Sequence, residues 1–160
     1  MGQDRGIPDE GRREIFGGIL GDFEESVAAA CRSREEWPAQ VAAGIYAAVE
    51  FAIGHPSVVD ALLVLETSEK VSGSRYTETI ERLARLISRD APADSRLPVS
   101  TDEALVARIV GLVGDHVRVG RFEALEALRP DLVLLALLPY LGFAEAREWA
   151  NRYAENEDRY

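Results

Sequence analysis

The stretch PDLVLLALLPYLG, residues 130–142, decides the fold of this 160-residue chain. Seven consecutive residues between its two prolines, from Leu132 to Leu138, have no polar side chain. A helix on the surface of a globular protein would carry polar residues opposite its apolar stripe. The run is also much shorter than the roughly 20 apolar residues that cross a bilayer. The sequence therefore predicts a helix that other protein covers on every side.

Apolar residues recur at steps of three and four along most of the chain, and no stretch alternates as a strand does. This pattern predicts an all-α fold, a multi-helix bundle that forms one domain over residues 1–160. We expect its ends, 1–10 and 156–160, to be flexible. The expected helices cover about 9–32, 33–54, 57–67, 74–89, 100–119, 130–142 and 143–156.

Local signals mark the ends of several helices. Ser33 and Glu36 have the spacing of a capping box, which would open the second helix. Gly54, with His-Pro after it, has the form of a helix stop. Residues 90–100 contain two prolines, two aspartates and two serines, which predicts a loop. Residues 122–128 are predicted to form a short connector.

The fifth and sixth helices carry more apolar surface than a single partner helix usually covers. The fifth has two adjacent apolar stripes, and the sixth is apolar all round. We expect each to pack on its own domain with one side and on the same pair of a second copy with the other, in a two-fold four-helix bundle. The alternative is a monomer in which the sixth helix is caged by the others. The predicted dimer-interface residues are Leu105, Leu112, Leu132, Leu135, Ala136, Leu138 and Pro139.

The net charge and the cysteine content indicate which classes of partner and which cell compartment to expect. The formal net charge is −10, and a phosphate backbone repels such a surface, so we expect no direct nucleic-acid binding by this chain. Its single cysteine, Cys31, forms no internal disulfide, which is consistent with a reducing cytoplasm. The first residues lack the apolar segment of a secretory leader. A cytoplasmic protein without membrane contact is predicted.

No residue pattern indicates catalysis, a metal or a cofactor. His55 follows the C-terminal end of a helix, where the helix dipole favours a positively charged side chain. His116 lies on the apolar side of the fifth helix, either as a core or interface residue or as a pocket residue that hydrogen-bonds a ligand. Cys31 has no visible base to activate it, and the Glu-x-x-His pairs of di-iron bundles are absent. We predict a protein that is not an enzyme and binds no metal or cofactor.

Two segments share a distinctive order of motifs. EEWPAQVAAGIYAAVEFAIGHPSVVDALLV, residues 35–64, runs from a Trp-Pro helix start to a His-Pro stop. LPVSTDEALVARIVGLVGDHVRVGRFEALEALRPDLVLLALLPYLG, residues 97–142, places a long helix after a Leu-Pro loop, then an acidic-apolar connector ending in Arg-Pro-Asp, then an apolar helix ending in LLPYLG. In this order and spacing the chain resembles the C-terminal regulatory domain of tetracycline-repressor (TetR) family transcription factors, over about residues 12–142.

The resemblance implies an all-helical domain that dimerises through its last two long helices. It also implies a pocket for a small apolar or amphipathic effector among the preceding helices. In that family a three-helix DNA-binding module comes before the first helix seen here, but about ten residues precede it in this chain, so no helix-turn-helix fits. The alternatives are a piece of a longer regulator, a stand-alone decoy that pairs with a full-length regulator, and a small-molecule carrier.

A pocket also has a basis in the residues themselves. The second helix is rich in small side chains, and Gly17, Gly18 and Gly21 lie inside the first, where each costs about 1 kcal/mol against alanine. Such residues leave room for a ligand, or they let another helix approach closely. A mostly apolar cleft with a few polar groups is the usual form of a ligand site. The predicted pocket residues are Phe16, Leu20, Phe23, Ile45, Tyr46, Val49, Leu62, Tyr76, Ile80, Ile109, Val113 and His116.

Overall fold

The computed structural model describes the backbone of residues 9–68, 75–95 and 97–159, and these residues contain seven α-helices and no strand. The all-α prediction is confirmed. Side chains are described for 17–62, 75–95, 97–98 and 101–159. The expected flexible ends lie partly outside the described residues, at 1–8 and 160. The helices are α1 (Asp9–Arg32), α2 (Trp37–Gly54), α3 (Ser57–Ser68), α4 (Arg75–Ser88), α5 (Val99–Arg118), α6 (Phe122–Leu141) and α7 (Phe143–Glu157), with a 3-10 turn at Ala93–Ser95.

The link between α1 and α2 differs from the prediction. The hydroxyl of Ser33 donates to the carbonyl oxygen of Ala30 at 2.6 Å, so it closes α1 rather than opening α2. Glu36 precedes α2 and makes no side-chain capping bond. Instead, Nε2 of Gln40 in the first turn of α2 donates back to the carbonyl oxygen of Arg34 at 3.1 Å. The capping-box prediction was wrong because the serine hydroxyl bonds to the helix before it.

The predicted connector at 122–128 is the first part of α6, which continues through Pro130. Pro130 has no N–H to donate to the carbonyl oxygen of Glu126, four residues earlier. Nε of Arg129 donates to that oxygen at 2.9 Å and replaces the missing backbone bond. The guanidinium of Arg129 also lies 4.7 Å from the ring centre of Tyr46 on α2. One side chain therefore repairs α6 and ties it to α2.

A left-handed glycine follows each of the last two long helices. Gly120 and Gly142 have φ of +72° and +77°, a conformation that other residues rarely adopt. After Gly120 the chain reverses, and α5 and α6 form an antiparallel hairpin. At the open end of the hairpin, the hydroxyl of Tyr140 donates to the buried carboxylate of Asp102 in the first turn of α5.

One side of α6 lies at the centre of the core, where α2, α5 and α7 pack around it. Four of the seven apolar residues in the run between its prolines are at most 1% exposed: Leu132, Val133, Ala136 and Leu137. The opposite side is less covered, since Leu134 and Leu135 are half-buried and Leu138 remains 37% exposed. The chain itself therefore covers the apolar run fully on one side only.

α1 and α2 cross where Gly44 meets Cys31. A Cβ atom on Gly44 would lie 2.8 Å from Sγ of Cys31, closer than such atoms can approach. Around the three glycines of α1, by contrast, no described atom of another element lies within 4 Å of an added Cβ: Gly17, Gly18 and Gly21. Of the two expected reasons for these glycines, a ligand or another helix, the described residues show no helix in close approach; the tight crossing occurs at Gly44 instead.

Polar contacts fix α4 at both of its ends. Near the start, the buried carboxylate of Glu24 on α1 pairs with Arg75 at 3.3 Å and accepts a hydrogen bond from Thr79 at 2.9 Å. It accepts another from Arg82, in the middle of α4, at 2.9 Å. Near the end, Nε1 of Trp37 on α2 donates to the carbonyl oxygen of Ile87 at 2.6 Å. Buried polar groups are costly without such partners, so these bonds hold α4 in one position against α1 and α2.

We expect Gly44→Ala to lower the free energy of unfolding by about 1–3 kcal/mol, because its methyl group overpacks against Cys31. Urea unfolding measures the change. Gly111→Ala is the matched control, since an added Cβ there meets no described atom within 4 Å. It should be neutral or stabilising by up to about 1 kcal/mol. Adding Cys31→Ala to Gly44→Ala should recover most of the loss, and an unchanged stability of Gly44→Ala would contradict the tight crossing.

Stability should fall as the pH rises above about 10, the ordinary tyrosine pKa. Burial raises the pKa of Tyr140 above that value, and the hydrogen bond to Asp102 raises it further. The unfolded chain then releases a proton near pH 10 that the folded chain keeps, so higher pH favours unfolding.

Tyr140→Phe removes this contribution and leaves Asp102 without its hydroxyl partner. The variant should be about 1–3 kcal/mol less stable at neutral pH. It should also lose less stability than the parent between about pH 9 and 11. Urea unfolding at several pH values measures both effects. Identical pH slopes for the two proteins would argue against a raised pKa at Tyr140.

Candidate ligand cavity

A cavity of about 360 Å³ lies among α1, α2, α3, α4 and α5. Its lining extends along α2 from Val41 to Ala52 and along α5 from Val106 to Arg118. At 1.5 Å per residue these segments measure roughly 16 and 18 Å, so the cavity is elongated along both helices. The described lining residues are Phe23, Val27, Cys31, Val41, Gly44, Ile45, Ala48, Val49, Ala52, Val58, Val59, Leu62, Tyr76, Leu83, Leu86, Ile87, Val106, Ala107, Ile109, Val110, Gly111, Val113, Gly114, Asp115 and Arg118.

Two rows of small residues make the room. They are Ala48 and Ala52 on α2, and Ala107, Gly111 and Gly114 on α5. Residues three and four apart lie on the same face of a helix, so each row leaves a continuous shallow groove. The two grooves contribute to the same cavity. Larger side chains at these positions would occupy its volume.

The interior is lined mainly by hydrocarbon. Among the described lining residues, Cys31 and Tyr76 carry uncharged polar groups, and burial raises the pKa of the Cys31 thiol, which keeps it protonated at neutral pH. Charge is confined to the last two turns of α5. There the carboxylate of Asp115 and the guanidinium of Arg118 are 3.9 Å apart, with 74% and 53% of their side chains exposed. The site suits an apolar molecule with polar atoms at one end.

The structure brings together seven of the twelve predicted pocket residues. They come from all five helices around the cavity: Phe23, Ile45, Val49, Leu62, Tyr76, Ile109 and Val113. Their ligand-binding role stays a prediction, since a lining position alone does not show binding. The side chain of Phe16 lies outside the described residues.

Four predicted pocket residues do not line the cavity. Leu20 and Ile80 are buried in the surrounding core. Tyr46 points towards α7, where its ring centre lies 4.9 Å from that of Tyr153. Nδ1 of His116 is within hydrogen-bond distance, 2.8 Å, of a carbonyl oxygen of its own helix, and the side chain lies away from the cavity. These predictions were wrong because the spacing of apolar residues fixes the orientation of a helix about its own axis only approximately.

The mouth of the cavity was missed by the sequence reasoning. Among the described lining residues of α5, Gly111, Asp115 and Arg118 are exposed, which places an opening beside the end of this helix. An added Cβ on Gly111 meets no described atom within 4 Å. The spacing of the small residues on α5 was the available signal, because three of them on one face leave space where a side chain would pack.

The predicted interface residues fall into two groups. Leu132 and Ala136 are 1% and 0% exposed within the single chain. They face the chain's own core and leave no surface for a partner chain, because that core already covers them. The other five keep exposed surface, partly or largely: Leu105, Leu112, Leu135, Leu138 and Pro139.

In the part of the chain that the structure describes, the His, Cys, Asp and Glu side chains form no group of three or more that could hold a metal ion. None of the described helices combines the length and the apolar character that crossing a bilayer requires.

Comparisons with protein-family models, with curated proteins and with solved structures found no match to this chain.

Proposed function

We propose that the chain is the ligand-sensing and homodimerisation domain of a TetR-type transcriptional regulator. A small apolar or amphipathic molecule occupies the cavity, and a second copy covers the exposed side of α6. The domain acts in the cytoplasm by binding and not by catalysis, and this chain does not itself contact nucleic acid.

The cavity is the observation that carries the proposal. Its walls are mainly hydrocarbon, and water can reach them through the mouth beside the end of α5. An apolar molecule that displaces this water removes apolar surface from contact with water, which is favourable. A molecule that binds the folded chain in this way also stabilises the fold.

The position of α5 supports a sensor. Ile109 and Val113 line the cavity, whereas Leu105 and Leu112 lie two turns apart on another side of the helix and keep partial exposure. A ligand that favours one position of α5 therefore also favours one arrangement of the surface that carries these leucines. In this proposal the ligand shifts the population between two arrangements.

The exposed leucines of α6 support self-association. Leu134, Leu135 and Leu138 lie on the side of the helix opposite its buried residues. Burial of one leucine side chain contributes about 1.5–3 kcal/mol. A two-fold axis beside α6 would bring this row against its own copy and cover the side that the chain leaves open.

An uncharged apolar fluorophore, N-phenyl-1-naphthylamine, tests the cavity. We expect one dye molecule per chain, with a rise in fluorescence. Gly111→Leu should weaken binding at least about tenfold, or 1.4 kcal/mol, because its side chain occupies the mouth. Gly21→Leu is the matched control, a helix glycine with the same open space that does not line the cavity. Dye binding that is equal in the two variants would contradict the proposed site.

Leu138→Asp tests the dimer. Sedimentation should show a dimer for the parent and a folded monomer for the variant, because the carboxylate loses its hydration in the interface. Ala29→Asp adds the same charge to an exposed position of α1 and should leave the dimer intact. A parent that stays monomeric at micromolar concentrations while it binds the dye would favour the carrier alternative.

A further inference from the structure

We propose that the ligand is an elongated amphiphile whose single polar head group is uncharged. Its apolar body lies along α2 and α5, and its head lies between Asp115 and Arg118. This inference rests on the proposed function, because it specifies the molecule that occupies the cavity.

The lining determines the body of the ligand. The walls are hydrocarbon over most of their area, and the thiol of Cys31 is protonated. A charged group drawn into such surroundings loses its hydration and finds no counter-charge among the described residues there. The lining also follows roughly 16–18 Å of helix, which suits a long molecule better than a compact one. The interior therefore accepts an extended apolar chain.

The charged side chains at the mouth of the cavity determine which head group the ligand can have. Asp115 and Arg118 lie 3.9 Å apart, and both remain more than half exposed. A carboxylate head would be attracted by Arg118 and repelled by Asp115 at a similar distance, and an ammonium head would meet the reverse. The two Coulomb energies largely cancel, while either charged head still loses part of its hydration. A charged head group gains little here.

An uncharged hydroxyl uses both side chains. Its oxygen accepts a hydrogen bond from Arg118, and its O–H donates to Asp115. The distance of 3.9 Å between the two charged groups exceeds a hydrogen bond, so one oxygen atom can bridge them. Gly111 on the same helix has no side chain, and an added Cβ there meets no described atom within 4 Å, so the approach to this pair stays open.

Displacement of N-phenyl-1-naphthylamine by 1-decanol, decanoate and decylammonium at neutral pH tests the head group. The three competitors share one chain length and differ in charge. Decanol should displace the dye at a concentration about tenfold lower than either ion, a difference of 1.4 kcal/mol. Tighter binding of decanoate or decylammonium by the parent protein would overturn the inference.

Two variants then each remove one of the two opposite charges at the mouth of the cavity. Arg118→Gln leaves Asp115 unopposed, so decylammonium should gain on decanol. Asp115→Asn leaves Arg118 unopposed, so decanoate should gain. The readout is the ratio between the displacing concentrations of the competitors, since a general loss of affinity for the cavity would change all three concentrations alike. Arg108→Gln is the control, an exposed arginine of the same helix that does not line the cavity, and it should leave the ratios unchanged.

The outcomes separate the two proposals. Ratios that are the same in the parent, Arg118→Gln and Asp115→Asn would overturn the assignment of the head group and leave the cavity as a ligand site. If neither the dye nor any competitor binds in a manner sensitive to Gly111→Leu, the proposed function fails and this inference fails with it.

Discussion

The burial of one side of α6 against α2, α5 and α7 holds the helices in their places. Leu132 and Leu137 are almost completely buried there, and each contributes about 1.5–3 kcal/mol. Since α2 and α5 both pack on this helix, α6 fixes their positions relative to each other. Their rows of small residues then leave a space between them that neither helix can close by moving alone. The cavity is thus a consequence of how firmly α6 is packed.

The same residue type serves two opposite purposes around this space. Gly44 allows the backbone of α2 to approach Cys31, where any side chain would clash, whereas Gly111 leaves its surroundings open. The hydrogen bonds of Glu24 and Trp37 keep α4 at the edge of the cavity instead of letting it collapse inwards. Tight packing at the crossing of α1 and α2 and polar contacts at both ends of α4 together make a void tolerable in a small domain.

The spacing of apolar residues predicted the helical class, and residues typical of helix ends, such as Gly54, predicted most helix ends. Both signals are local properties of the chain. Predictions from local patterns failed where a helix end or a hydrogen-bond partner depended on other parts of the structure. Ser33 bonds to the preceding helix although its spacing suits the next one, and Arg129 lets α6 pass through Pro130. The four predicted pocket residues that miss the cavity do so for a related reason. Ile45 lines the cavity, while its neighbour Tyr46, about 100° further around the helix, packs on α7.

The double contact of Arg129 makes this position intolerant of an exchange that preserves charge. Lysine would keep the positive charge, but its ammonium is one compact group on a flexible stem. It could lie over the ring of Tyr46 or bond to the carbonyl of Glu126, whereas the planar guanidinium does both through different atoms. Arginine and proline at 129 and 130 are therefore linked choices: the proline is tolerated within α6 as long as the arginine stands before it.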